Sequence, residues 1–105
     1  MASLVRYNEN PHLRIISKRL KLLRKAARLP QRVVMDCSGV NTIDHIERIR
    51  APKTHDLEKL ARFFGVPIAF FSDSVNEVEA RNMAFSAAKE VNIRLIEQQE
   101  QEVKS

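Results

Sequence analysis

Side chains that carry out catalysis or bind metals are few in this chain and are widely separated. His12, His45 and His55 each stand among ordinary helix-forming residues, and Cys37 is the single cysteine. Zinc ligands and catalytic dyads recur at characteristic spacings, and none of these spacings occurs here. A lone cysteine forms no internal disulfide, so Cys37 is interpreted as a small buried apolar residue. We therefore expect no metal, no cofactor and no enzymatic activity.

Positive charge is concentrated in the first two thirds of the chain. Residues 1–72 carry fourteen Lys and Arg residues against six Asp and Glu residues, a net charge of +8, whereas residues 73–105 carry a net charge of −3. A basic body followed by a mildly acidic segment is typical of a domain that binds a polyanion such as nucleic acid. A surface that is basic only for solubility is the alternative on charge alone.

The length and composition indicate one folded domain. The chain has 105 residues, of which 44% are hydrophobic and 30% are charged, a balance that allows a buried core. No stretch approaches the roughly 20 apolar residues that a membrane-spanning helix needs. The N-terminus also lacks the apolar run and cleavage site of a secretory signal. We expect a cytoplasmic protein that does not associate with membranes.

Apolar residues repeat every three to four positions along most of the chain, which predicts helices rather than strands. The clearest case lies between Leu13 and Ala27, where basic residues occupy another face of the same helix. A helix at a membrane surface has the same pattern, but the helical segments that follow favour burial of the apolar face. We predict an all-α protein with helices over residues 12–28, 30–38 and about 75–101. Between them we expect a third helix that ends at Ala51 and Pro52, a fourth helix that begins after Thr54 and ends at Gly65, and a short helical turn that starts at Pro67.

Residues with special backbone or side-chain properties mark the expected helix ends. Glycine tolerates the left-handed conformation that stops a helix, so Gly39 and Gly65 are expected to end the second and fourth helices. Side-chain oxygens that accept free N–H groups mark helix starts. We expect such caps from Asn41 or Thr42, from Thr54, and from the pair Ser74 and Glu77.

Five segments occur in a fixed order between Arg19 and Phe71. They are RLKLLR at 19–24, LPQ at 29–31, GV at 39–40, IER at 46–48 and LEKLARFFGVP at 57–67. Together they resemble the Cro/CI-like (Xre) family of helix-turn-helix regulators. The resemblance implies a five-helix, lambda-repressor-like domain over residues 12–72 whose third helix enters the major groove of double-stranded DNA. The implied function is a sequence-specific transcriptional repressor that binds a two-fold symmetric operator as a homodimer.

The resemblance also implies where DNA contacts lie. If the third helix faces the groove, asparagine can pair with adenine and aspartate can accept a hydrogen bond from cytosine. The candidate base contacts are Asn41, Thr42, Asp44 and His45. The candidate phosphate contacts, which position the protein without reading sequence, are Gln31, Arg32, Arg48, Arg50 and Lys53. Helix capping by Asn41 and Thr42, and simple exposure to solvent of the others, are the alternatives.

The chain departs from the family pattern around the second and third helices. Between Gly39 and Ile46 it is about two residues shorter than the family, which truncates the exposed start of the third helix. Further departures are Arg28 in place of a frequent glycine, Pro30 in place of a capping serine, Met35 in place of a small residue, and a missing residue before Pro52. The truncation motivates a second hypothesis. On this hypothesis the protein is a helix-turn-helix-derived interaction module that binds a second regulatory protein or a toxin, with weak or no specific DNA binding.

Two further segments flank the predicted domain. Residues 1–11 are expected to form an N-terminal arm, and residues 73–105 an additional long C-terminal helix with a frayed end. The apolar positions of this helix form a seam longer than one edge of a small domain can cover: Val78, Phe85, Ala88, Val91 and Leu95. We therefore predict that the seam holds a homodimer together. The alternative is that the helix folds back on its own core.

Overall fold

The structure, a computed structural model, describes the backbone of residues 10–104 and the side chains of residues 10–53 and 55–100. All regular secondary structure in this part of the chain is helical, as the sequence predicts. Five α-helices and one 3₁₀ turn follow one another in the order α1 (Pro11–Ala26), α2 (Gln31–Ser38), α3 (Ile43–Glu47), α4 (Thr54–Phe64), the 3₁₀ turn (Ile68–Phe71) and α5 (Glu77–Lys104).

The first helix begins where Asn10 caps it. The Asn10 Oδ1 accepts hydrogen bonds from the backbone N–H groups of His12 at 2.9 Å and Leu13 at 3.4 Å. Pro11, which has no N–H to satisfy, occupies the first turn. The helix therefore starts one residue before the predicted position, and the predicted arm loses its last residue to α1. Residues 1–9 of that arm lie outside the described residues.

One apolar core holds the helices together. Fully buried side chains come from every helix of the described chain, and those outside α5 include Leu20, Leu23, Val34, Ile43, Ile46, Leu60, Phe64 and Phe70. Most of these residues lie on the apolar faces that the sequence predicts for each helix. Burying one such side chain stabilises the fold by about 1.5 to 3 kcal/mol. The three- and four-residue periodicity therefore identifies the inward faces of α1, α3 and α4 correctly.

The long helix α5 belongs to this same core. Its buried positions are small residues on one face, namely Ala80, Ala84, Ala87, Ala88 and Val91, and this face packs against α1 and α4. Helix α5 therefore contributes one face to the same core as the helices of residues 12–72. Small side chains allow this long helix to lie close to α1.

The predicted cap at the start of α5 differs from the observed one. The start of α5 is capped by Asn76, whose Oδ1 accepts from the N–H of Glu79 at 2.9 Å and whose Nδ2 donates to the Glu79 carboxylate at 3.0 Å. This reciprocal pair replaces the predicted pair of Ser74 and Glu77, and Ser74 instead bonds to the hydroxyl of Ser72. The predicted cap at Thr54 concerns a side chain outside the described ones.

Each of the first four helices ends at a residue in the left-handed conformation. The φ angle is 58° at Arg28, 78° at Gly39, 63° at Ile49 and 71° at Gly65. Arg28 and Ile49 carry a Cβ, which this conformation crowds at a cost of about 1 to 2 kcal/mol. At both positions the N–H of the left-handed residue and the next N–H donate to carbonyls of the last helical turn. Ile49 thereby ends α3 at Glu47, before the predicted stop at Pro52.

Candidate nucleic-acid interface

A short turn joins α2 to α3 and fixes the angle between them. Gly39 leaves α2 in the left-handed conformation, and Val40 then enters the core with 1% of its surface exposed. Val34 of α2 packs in the same core cluster as Ile43 and Ile46 of α3. The two helices are therefore held by apolar contacts on their inner sides. This leaves their outer sides available to a partner.

A buried ion pair fixes the end of α3 to α1. The Arg24 Nε and Nη2 atoms donate to the two carboxylate oxygens of Glu47 at 2.6 and 2.9 Å. Arg24 also donates to the carbonyl of Leu29, at 3.1 Å, just before α2. The hydrogen bond to Glu47 raises the pKa of Arg24 above its ordinary value. Because only 5% of the Glu47 side chain is exposed, this pair is shielded from solvent and holds three segments in place.

Two more residues join Glu47 to its surroundings. The Gln31 amide donates to the Glu47 carboxylate at 3.2 Å, and the Ser17 hydroxyl donates to the Glu47 carbonyl at 2.8 Å. Gln31, a candidate phosphate contact, is thus half-buried at the start of α2 and uses one of its amide N–H groups internally. An amide nitrogen has two N–H groups, so one of them remains for an outside acceptor.

The outer face of α3 carries three of the candidate contacts. His45 is exposed, and Asp44 forms an ion pair with Arg48 at 3.1 Å across one turn of helix. Both partners are open to solvent, so the pair stabilises the helix by less than about 1 kcal/mol. Asp44 and Arg48 can therefore separate at low cost when a partner offers each of them a better contact.

Thr42 connects the start of α3 to α4. Its hydroxyl donates to the Asp56 carboxylate at 3.0 Å and makes no capping bond to α3. The predicted cap is therefore replaced by a contact between two helices. The neighbouring Asn41 is exposed. Of the two, only Asn41 presents its side chain freely to a partner.

A cleft between α3 and the start of α4 brings several predicted residues together. The cleft is lined by Thr42, His45, Ile46, Arg50, Ala51, Pro52, Lys53 and Asp56. His45, Arg50 and Lys53 are exposed at this cleft, and the side chains of these three residues make no hydrogen bond or ion pair within the described part of the chain. We name these three side chains the basic rim. Arg32 on α2 is also exposed, outside the cleft.

Three charged residues outside the predicted set hold the segments around this face in place. Arg24 and Glu47 form the buried pair described above. Arg19, with 6% of its surface exposed, donates to the carbonyls of Phe70 at 3.0 Å and Val75 at 2.7 Å and so fixes the approach to α5. The sequence could have indicated the role of Glu47. This residue follows Ile46 on the inward face of α3, where a charged residue needs a buried partner.

Metal-binding groups and membrane-spanning helices were the other features sought in the described residues. No three His, Cys, Asp or Glu residues within this part of the chain are grouped so that they could hold a metal ion. Cys37 is exposed at the end of α2, so the prediction that it is buried is wrong. Among the described helices, none has the length and apolar character needed to cross a bilayer.

Comparison with known proteins gives no match to a family model, to a curated protein or to a solved structure. The family resemblance of residues 19–67 therefore stays a prediction from the sequence. The function has to be inferred from the residues of this chain and their positions.

Proposed function

We propose that the protein is a sequence-specific DNA-binding regulator, a cytoplasmic repressor of the Cro/CI-like (Xre) kind that binds a two-fold symmetric operator as a homodimer. The observation that supports this proposal best is the basic rim of His45, Arg50 and Lys53 beside the outer face of α3. A helix joined to its predecessor by a short turn and flanked by free cations has the features needed to enter a major groove.

The cations of this face supply the affinity. Arg50 and Lys53 lie at the cleft, and Arg32 lies on α2 in an exposed position. Each cation that meets a phosphate releases a counterion from the duplex, so the affinity falls as salt rises. Arg48 joins this set if its ion pair with Asp44 opens. Gln31 adds a neutral donor for a phosphate through its second amide N–H group.

Few side chains remain to read bases. Asn41 and His45 are exposed and can reach base edges, and Asn can bond to adenine at two atoms. Asp44 can accept from cytosine after leaving Arg48, and Thr42 keeps only its oxygen lone pairs for a partner because its proton is donated to Asp56. We therefore assign the main reading role to Asn41 and His45.

Binding to the duplex upstream of its own gene tests the proposal. Full-length protein and fluorescent duplex are titrated at 50 and 200 mM salt, with an unrelated duplex of equal length as the control. With about three phosphate-binding cations in each copy of a dimer, the affinity should fall about a thousandfold between the two salt concentrations. The upstream duplex should also bind more tightly than the unrelated one. Absence of binding at 50 mM salt would reject the proposal.

The interaction module is the second candidate function, and the length of α3 favours it. This helix has five residues, and two of its four candidate base contacts, Thr42 and Asp44, already bond within the chain. Salt-dependent binding to duplex DNA distinguishes the two candidates. A DNA-binding protein releases counterions from the duplex when it binds, whereas a module that binds only proteins does not bind the duplex. No duplex binding, together with capture of a regulatory protein or toxin encoded beside the gene, would favour this candidate.

A further inference from the structure

Helix α5 has a second apolar face that points away from the core. Its large exposed side chains are Val78, Phe85, Ile93 and Ile96, with 68%, 60%, 49% and 55% of their surfaces accessible. Val78, Phe85 and Ile96 are separated by seven and eleven residues, which places them within about 20° of one another around the helix. We name the four side chains the outer stripe. It extends about 27 Å along the helix axis, at 1.5 Å per residue.

The outer stripe differs from the predicted dimer seam. Ala88 and Val91 of that seam are buried against the core of the same chain, and Leu95 packs against that core in part. These three residues are therefore not available to a second copy. The sequence prediction combined residues of two faces that lie roughly 100° apart around the helix. Only Val78 and Phe85 of the predicted seam belong to the outer stripe, and Ile93 and Ile96 were not predicted.

We propose that the outer stripe pairs with the outer stripe of a second copy, with the two α5 helices antiparallel. The inference rests on the homodimer of the proposed function and specifies its contact surface. In this arrangement Phe85 of one copy lies opposite Ile96 of the other. The symmetry of the dimer gives two such Phe85–Ile96 pairs, and both are removed from water. Burial of large apolar side chains is the main source of stability in such contacts.

The charges beside the outer stripe favour the antiparallel direction. Arg81 and Lys89 flank its first half, whereas Glu100 flanks its end, and all three are exposed. When Phe85 of one copy lies opposite Ile96 of the other, antiparallel pairing also brings Arg81 opposite Glu100, because these two residues lie four positions further along their helices in opposite directions. Parallel pairing would instead bring like charges to the same level of the dimer, where they repel.

The C-terminal end of α5 gives a second reason to expect that another copy of the chain covers this helix. The last residue of α5 in the core cluster is Val91, and Leu95 is the last one packed against it. The helix nevertheless continues to Lys104. The part of α5 after Leu95 would have low helical stability in water by itself, because most helical stability in proteins comes from packing. Antiparallel pairing lays this segment against the first half of α5 in the other copy.

Sedimentation of the full-length protein tests the pairing first. We expect a dimer at micromolar concentration and expect Phe85→Lys to weaken it by at least about tenfold, since the change places a cation in an apolar contact. Ala69→Lys, at an exposed position of the 3₁₀ turn and not on α5, is the control for an added lysine and should leave the dimer intact. A monomeric wild type, or equal effects of the two variants, would overturn the proposal.

Cysteine crosslinking tests the direction of the helices. In a Cys37→Ser background, Phe85→Cys and Ile96→Cys proteins are mixed and oxidised, and we expect the disulfide to form between the two different proteins. Crosslinks within each protein alone would indicate parallel helices and overturn the proposal. Duplex binding is measured separately on the same samples. A monomer that still binds duplex in a salt-dependent way would refute this pairing while leaving DNA binding in place.

Discussion

At the scale of single residues, Arg28 offers the clearest test of the backbone. It is exposed, and its φ of 58° puts it in the left-handed region that favours glycine. We expect Arg28→Gly to be about 1 kcal/mol more stable than Arg28→Ala, because both variants remove the same charge but only the first removes the Cβ. Urea unfolding of the two variants measures this difference. Equal stability would contradict a left-handed residue at this position.

Glu47 is the residue on which the candidate interface depends for its position. We expect Glu47→Ala to destabilise the protein by about 2 to 4 kcal/mol, because the change leaves Arg24 unpaired in a largely buried place. Asp44→Ala on the same helix is the control, and it should cost less than about 1 kcal/mol because its ion pair with Arg48 is exposed. Thermal unfolding compares the two. Similar losses would show that the buried pair adds no stability.

Asn41 and His45 are expected to determine which duplex is bound. Their replacement by alanine should change the ratio of affinities for matched and mismatched duplexes by about 5- to 150-fold, the equivalent of roughly 1 to 3 kcal/mol for a base contact. Gln31→Ala is the control, since the phosphate contact proposed for Gln31 carries no sequence information. Competition titrations with single-base variants of the bound site measure the ratio. An unchanged ratio in both Asn41 and His45 variants would remove α3 from base reading.

At the scale of elements, periodicity predicts helices with one apolar face and fails where a helix has two. The inward faces of α1, α3 and α4 follow from spacings of three and four, and their residues are buried as expected. In α5 the inward face consists largely of alanine, which a search for large apolar residues overlooks, while Val78 and Phe85 stand on another face. The sequence therefore predicts that α5 exists, but it does not predict which side of α5 meets the core.

The ends of helices were less predictable than their faces. Ile49 in the left-handed conformation ends α3 although a β-branched residue is unfavourable there, and no local pattern indicates such a stop. The cap at Asn76 competes with Ser74 for the same role, and both have an acidic residue three positions later. Choosing between the two caps requires the tertiary contacts that set the start of α5.

The close contact of α5 with the core leads to a prediction for that element. Ala84 has 0% of its surface exposed, and we expect Ala84→Leu to destabilise the protein by about 1 to 3 kcal/mol through overpacking. Ser86→Leu, two residues away on the exposed side, should change stability by less than about 0.5 kcal/mol. Chemical unfolding distinguishes them. An unaffected Ala84 variant would mean that α5 does not pack on the core through this face.

At the scale of the whole molecule, net charge predicts a polyanion partner but does not say which face binds it. Besides the basic rim, a second cleft between the end of α2, α4 and α5 carries the cations Lys59, Arg62 and Arg94. The family resemblance predicts phosphate contacts at Arg50 and Lys53, and the structure brings both residues to one cleft with His45. The sequence did not predict the ion pair of Asp44 or the contact of Thr42, because these depend on neighbours that only the folded chain provides.

A pair of charge reversals tests most directly whether duplex DNA binds at the basic rim. Arg50→Glu and Arg62→Glu change the net charge by the same amount, but only Arg50 lies in the cleft beside α3. Duplex affinity of both variants is measured as a function of salt. We predict that Arg50→Glu lowers the affinity by at least about tenfold and reduces the salt dependence by about one ion per copy, while Arg62→Glu changes the affinity by less than about threefold. Equal losses in the two variants, or no loss in either, would contradict binding at this face.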